Sequence, residues 1–165
     1  MIRQVASSDI EQITEIYNGY IANSLITFEE ELIDPSEMGR RIQRIADKDF
    51  PFIVWEEAGI VIGYAYAGTF RERNAYRFTV ESSIYLHPDH FGKGIGKKLY
   101  NSLILKCKEN GYHSMIGVIT LPNDTSVRLH ETLGFKKVGH LTESGFKFGE
   151  WADVGFWELL LQDVQ

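Results

Sequence analysis

The sequence predicts a mixed α/β sandwich around a largely antiparallel central sheet flanked by helices. Three observations predict it. Strand-like and helix-like segments alternate in the order β-α-α-β-β-β-α-β-α-β-β, which calls for one sheet with helices packed on it. Three of the strands are consecutive, and the first two of these flank the short turn Glu57-Ala58-Gly59, the pattern of a hairpin. Phe91-Gly92-Lys93-Gly94-Ile95-Gly96 then stands between a strand and a helix, where uncovered backbone amides face outward.

Taken in order, Ile2 to Val5 reads as a short strand, and Ser8-Asp9-Ile10-Glu11 as a capping box opening a helix. Ile10, Ile13, Tyr17 and Tyr20 recur at helical spacing, so that helix runs to about Tyr20. Asp34 as N-cap and Pro35 at the first helical position start a second helix, with Met38, Ile42 and Ile45 as its buried stripe. Phe52 to Glu56, Ile60 to Phe70 and Thr79 to Leu86 are strands. The last alternates, with Val80, Ser82, Ile84 and Leu86 on one face and Thr79, Glu81, Ser83 and Tyr85 on the other. Ile95, Leu99, Leu103 and Cys107 mark a helix that stops at Asn110-Gly111. Met115 to Thr120 is a strand, and Asp124 or Thr125 begins a short helix ending at Gly134. Phe135 to Leu141 and Val154 to Leu161 close the sheet, joined by a long aromatic-rich excursion.

The 165 residues read as one domain, 1–165, long enough to bury a core, with 44% hydrophobic and 24% charged residues. A net charge of −6 gives no global basic field to draw in phosphate backbones, so a nucleic-acid partner is not expected. Cys107 is the one cysteine, which excludes an internal disulfide and a cysteine-rich zinc site, and no metal is expected. Without a charged-then-apolar leader or a run of 18 apolar residues, the reading is a cytoplasmic protein with no membrane partner.

The glycine loop binds anions in principle, because unsatisfied amides and the positive end of the helix dipole meet there. A P-loop would need glycine at position 91 and Ser or Thr at position 98, where the chain has Phe91 and Lys98. A dinucleotide fingerprint from Gly92 fails at Lys97. What remains resembles the pyrophosphate loop of the GNAT superfamily of N-acetyltransferases, Gln/Arg-x-x-Gly-x-Gly/Ala, through Gly94 and Gly96, with Phe91 in the usual Gln/Arg position. Asn123, Ser126, Leu129, His130, Gly134 and Phe135 match that superfamily's second acyl-CoA segment at every offset. Arg73-Asn74-Ala75-Tyr76, Glu81-Ser82-Ser83, Leu121-Pro122-Asn123-Asp124, Gly145-Phe146-Lys147 and Asp153-Val154-Gly155-Phe156-Trp157 are similar, more narrowly, to the phosphinothricin acetyltransferases.

The resemblance implies a GNAT fold and an acetyl-CoA-dependent enzyme that acetylates the α-amine of phosphinothricin, methionine sulfoximine or methionine sulfone. It implies that Ile84, Tyr85 and Leu86 offer main-chain hydrogen bonds to the pantetheine arm, joined by Asn123 and Ser126. Gly92, Lys93, Gly94, Ile95, Gly96 and Lys97 would hold the pyrophosphate and 3′-phosphate, although each lysine alone is also an ordinary solvated side chain. An α-ammonium must lose a proton before it attacks, so a carboxylate is required near the site. Glu81, mid-strand among polar residues, is either an exposed strand charge or that base, and the resemblance places the base there. His130 fits a second base, a proton donor to the departing thiolate or a satisfied core histidine, and the resemblance favours a catalytic role. The substrate carboxylate and head suit the fork-shaped cations Arg71 and Arg73, with Ser82 and Ser83 beside Glu81; either arginine also fits a surface charge. Phe146, Phe148 and Trp151 suit a core, a pocket wall or, as in similar enzymes, a homodimer contact. An acetyltransferase for another amine and a non-catalytic acyl-CoA-binding module are the rival readings.

Overall fold

The computed structural model describes residues 1–161. Seven strands form one sheet: β1 (Ile2–Gln4), β2 (Phe52–Glu57), β3 (Ile60–Thr69), β4 (Thr79–Leu86), β5 (Ser114–Leu121), β6 (Lys136–Lys147) and β7 (Glu150–Leu160). Their spatial order is β1-β2-β3-β4-β5-β7-β6. The helices are α1 (Ile10–Asn23), α2 (Pro35–Ala46), α3 (Ile95–Glu109) and α4 (Asp124–Thr132). Every neighbouring pair is antiparallel except β4 and β5, which are parallel because α3 carries the chain back across the sheet between them.

The alternation read along β4 separates two cores. On one face α1 and α2 bury Ile13, Ile16, Ile21 and Met38 against Phe52, Val54 and Tyr64, with Tyr85 packed at the edge. On the other, Leu99, Leu103 and Cys107 of α3 lie against Val80, Met115, Ile119 and Trp157, with Ile84 and Leu86 alongside. The α/β class and the mostly antiparallel sheet flanked by helices are therefore as the sequence predicts.

Two expectations need correction. Ser8 caps nothing: Ser7–Asp9 is a 3-10 turn, and Asp9 occupies the N-cap of α1 without capping it. The Asp9 carboxylate instead accepts the Ala6 N–H at 2.8 Å and two guanidinium bonds from Arg3 at 2.7 and 2.8 Å, a charge-assisted pair that outcompetes a helix cap. The aromatic excursion is not a loop. β6 and β7 continue through it as one hairpin, turning at Phe148 and Gly149, both with positive φ as a type I′ turn requires. Phe146, Phe148 and Trp151 remain more than half exposed on that hairpin and form no core.

Candidate active site

β4 and β5 are paired only from Thr79↔Ser114 to Ser82↔Gly117. Beyond that point each strand goes on along its other partner, β4 with β3 to Leu86 and β5 with β7 to Leu121. The facing edges therefore part, and backbone groups that would have bonded across the sheet are left open to a ligand. Ser82, Ser83, Ile84 and Tyr85 from β4 line the gap, opposite Val118, Ile119 and Thr120 from β5. Asn123, Ser126 and His130 close its α4 end and Ile26 its outer side.

A groove of about 450 Å³ leads into this gap, sharing Ile26, Ile84, Asn123 and Ser126 with it. Leu86, Phe91, Gly92, Gly94, Gly96, Lys97 and Tyr20 line the rest. Gly94 is the N-cap of α3 at φ 75° and has no side chain to cap the first turn, so those amides point into the groove unsatisfied. Gly96 brings the helix close to β4, since a Cβ there would lie 3.1 Å from Leu86 Cδ1. Asn123 Oδ1 accepts the Ser126 N–H at 3.1 Å, a helix cap that fixes α4 against the gap.

Of the residues expected to hold an acyl-CoA, Ile84, Leu86, Gly92, Gly94, Gly96, Lys97, Asn123 and Ser126 line the groove, and Tyr85 lines the gap. Lys93 is exposed outside it, and the Ile95 side chain is buried beneath the loop, leaving its helix-start amide as the group on offer. Arg71 and Arg73 do not reach the gap. They line a separate surface depression with Glu72 and Tyr76 in the β3–β4 connection, where Arg71 lies over the Phe70 ring at 5.2 Å.

Glu81 is half-buried on the opposite face from Ser82, and burial alone raises its carboxyl above the usual range. No described residue hydrogen-bonds to it, and its cross-strand partner is Gly68, where a Cβ would meet nothing within 4 Å. A carboxylate with a raised affinity for protons and free space beside it has the properties of a general base.

His130 is held at both ring nitrogens. Nδ1 lies 2.7 Å from the Ser126 carbonyl, which accepts only, so Nδ1 carries the proton. Nε2 then accepts from the Tyr100 hydroxyl at 2.9 Å, and that hydroxyl is 2.7 Å from Ser82 Oγ. Burial lowers the affinity of the ring for a second proton, so it is neutral here. Tyr100, which the sequence stripe of Leu99 and Leu103 passed over, is the middle of this chain and fully buried. Tyr100→Phe should strand Nε2 and leave Ser82 with only its longer bond to the Ile116 carbonyl, costing about 1–3 kcal/mol. Chemical denaturation checks this as a lower midpoint at unchanged slope. Cys107 is buried and its thiol is pushed up to about 12, so it offers no nucleophile.

Comparison with known proteins agrees with this geometry. Residues 2–155 match the family described as the Acetyltransferase (GNAT) domain. A phosphinothricin N-acetyltransferase of Streptomyces viridochromogenes is 42% identical, the match covering 95% of this chain and 85% of the relative. The L-methionine sulfoximine/L-methionine sulfone acetyltransferase of Salmonella typhimurium is 36% identical over 98% of this chain and 95% of its own length. The crystal structure of a phosphinothricin acetyltransferase from Sinorhizobium meliloti in complex with acetyl-CoA superposes with a TM-score of 0.94 at 42% identity, covering 97% of this chain and 87% of that one. A putative acetyltransferase from Salmonella typhimurium, solved with its cofactor acetyl-CoA, gives a TM-score of 0.97 at 36% identity, covering 100% and 95%. The gap between β4 and β5, the uncapped start of α3 and these similarities lead to one conclusion: the chain belongs to the GNAT superfamily and is an N-acetyltransferase.

Proposed function

We propose that this enzyme transfers the acetyl group of acetyl-CoA to the α-amine of a small amino acid with a tetrahedral head, of the phosphinothricin, methionine sulfoximine or methionine sulfone type. The observation that carries the proposal is the gap in the sheet that opens onto an amide-lined groove. Glu81, with no hydrogen-bond partner among the described residues and a raised carboxyl, stands on β4 one residue before its last pairing with β5, outside the residues that line the gap. The groove fits an extended, phosphate-bearing ligand: amides and Lys97 at its wide end, open strand edge at its inner end. Acetyl-CoA supplies an activated thioester, and the chain supplies the rest.

The first turn of α3 holds the pyrophosphate, with Lys97 adding charge at the groove and Lys93 from outside it, while the Ile84 to Leu86 backbone aligns the pantetheine arm. Glu81 takes a proton from the substrate ammonium, through a water where the distance requires one. The free amine attacks the thioester carbon, the C–S bond breaks, and the nitrogen loses its second proton to the sulfur. Glu81 returns its proton to solvent, so one proton is released per turnover. Neutral His130 is assigned a positioning role, holding Tyr100 and Ser82 at the floor of the gap, rather than that of a stored acid. Arg71 and Arg73, which line their own depression in the β3–β4 connection, are assigned the part of drawing in the substrate carboxylate.

The active unit is a homodimer joined through the exposed aromatic face of Phe146, Phe148 and Trp151, and it works in the cytoplasm. Among the described residues no helix is long and apolar enough to cross a membrane.

Thiol release from acetyl-CoA tests the proposal against phosphinothricin, methionine sulfoximine, methionine sulfone, glutamate, spermidine and a peptide. Turnover concentrated on the three tetrahedral-head amino acids is the expected result. Turnover of spermidine or the peptide alone would keep the enzyme class and sink the substrate.

A further inference from the structure

Lys147 is 1% exposed, yet no described carboxylate pairs with it. Its Nζ donates to the backbone carbonyls of Ser24 at 2.8 Å and Thr27 at 2.9 Å. Burying an ammonium costs several kcal/mol unless its hydrogen bonds are well placed, so its position calls for an explanation. Ser24 is the C-cap of α1, where the helix dipole presents its negative end and favours a cation. Glu29 and Glu30 add negative potential at longer range. The ammonium thus pins two carbonyls three residues apart, from a strand more than a hundred positions away in sequence.

Between those two carbonyls stands Ile26, which lines both the gap and the groove. Two further contacts fix the same loop. The Phe28 ring occupies the space that a Cβ on Gly145 would fill. The Thr27 hydroxyl is 2.9 Å from the Tyr17 hydroxyl, and Tyr17 packs edge-on against Tyr85 of β4 at 5.3 Å. The stretch 24–28, whose Ile26 lines the site, is therefore tied at one side through Tyr17 of α1 to β4 and at the other to the β6–β7 hairpin.

We propose that Lys147 is a positioning residue for the acceptor amine: its buried ammonium, with the Phe28 ring seated on Gly145, clamps residues 24–28 so that Ile26 shapes the wall of the acceptor cleft. The inference rests on the reading of that gap as the place where the amine meets the thioester. It also assigns the β6–β7 hairpin a part in the reaction, because the hairpin tip carries both Lys147 and the Gly145 notch.

Lys147→Met keeps the length of the side chain and removes the clamp. The KM for methionine sulfoximine should rise about tenfold or more, while the acetyl-CoA dissociation constant stays within about threefold, since most groove residues are untouched. The amides of residues 24–28 should exchange with solvent faster. Gly145→Ala, which expels the Phe28 ring by a different contact, should give the same split and stands in if the lysine variant does not fold. Wild-type KM and unchanged exchange in a folded variant overturn the proposal. So does equal weakening of both substrates, the sign of general loss of structure. Should the wild-type enzyme acetylate none of the amino acids, the substrate reading fails instead, and exchange at residues 24–28 alone then decides whether Lys147 is a clamp.

Discussion

Glu81→Gln is expected to lower kcat by about 10²- to 10⁴-fold, the usual contribution of a positioned general base, and to leave acetyl-CoA binding intact. The side chain lies on the face of β4 away from Ile84 and Leu86, so the groove does not depend on it. Its pH dependence is a second readout. In the wild-type enzyme the base must be ionised, and burial raises its carboxyl above 4.5. The acid limb of kcat/KM should therefore fall through a value above the ordinary glutamate range as pH drops. In the variant that limb disappears and the rate follows the neutral fraction of the amine, rising about tenfold per pH unit until the substrate itself is deprotonated. Partial recovery at alkaline pH is thus the mark of a lost base, as opposed to a lost fold. A variant with wild-type kcat would assign Glu81 to an ordinary half-buried strand charge.

Gly117→Ala is expected to destabilise the protein by about 2–5 kcal/mol, from overpacking and from a broken buried hydrogen bond. Gly117 is the last residue of β5 paired with β4. A Cβ there would lie 2.5 Å from His130 Nε2 and 2.6 Å from Cδ2. The ring has nowhere to go. It is held at both nitrogens and packed between Tyr100 and Phe135, each with ring centroids 5.0 Å away. Relief requires loss of the Tyr100 bond or a shift of α4, which carries the Asn123 and Ser126 walls of the site. Such a loss is a large part of the 5–15 kcal/mol that holds a typical domain together. Denaturant unfolding measures it, and a change under about 0.5 kcal/mol would mean that the ring moves freely.

Much of this was legible along the chain. The alternation of Thr79 to Leu86 assigns Val80, Ile84 and Leu86 to one core and Tyr85 to the other, because a one-residue slip would exchange every side chain between faces. The stripe of Ile95, Leu99, Leu103 and Cys107 and the start at Asp124 or Thr125 place α3 and α4, since helical spacing is a local signal. What local chemistry could not show was decided across the fold. The β6–β7 hairpin hides because register shifts at Lys137/Gly139 and Leu141/Gly145 interrupt its alternation and Phe148, not Asn or Asp, opens its turn. Asp9 abandons its cap for Arg3, and Lys147 is buried by carbonyls 120 and 123 residues away. Tyr100 matters through its hydroxyl tip, and a count of apolar spacing registers only its ring.

The central claim is that the two substrates meet where β4 and β5 part. A crystal structure of the dead-end complex with coenzyme A and methionine sulfoximine tests it most directly. The thiol should end in the gap beyond Ser82 and Gly117, with the α-amine about 3–4 Å from the position of the transferred carbon and Glu81 within one water of the nitrogen. An amino acid bound in the Arg71–Arg73 depression, with no route from its nitrogen to the thiol, would contradict the account.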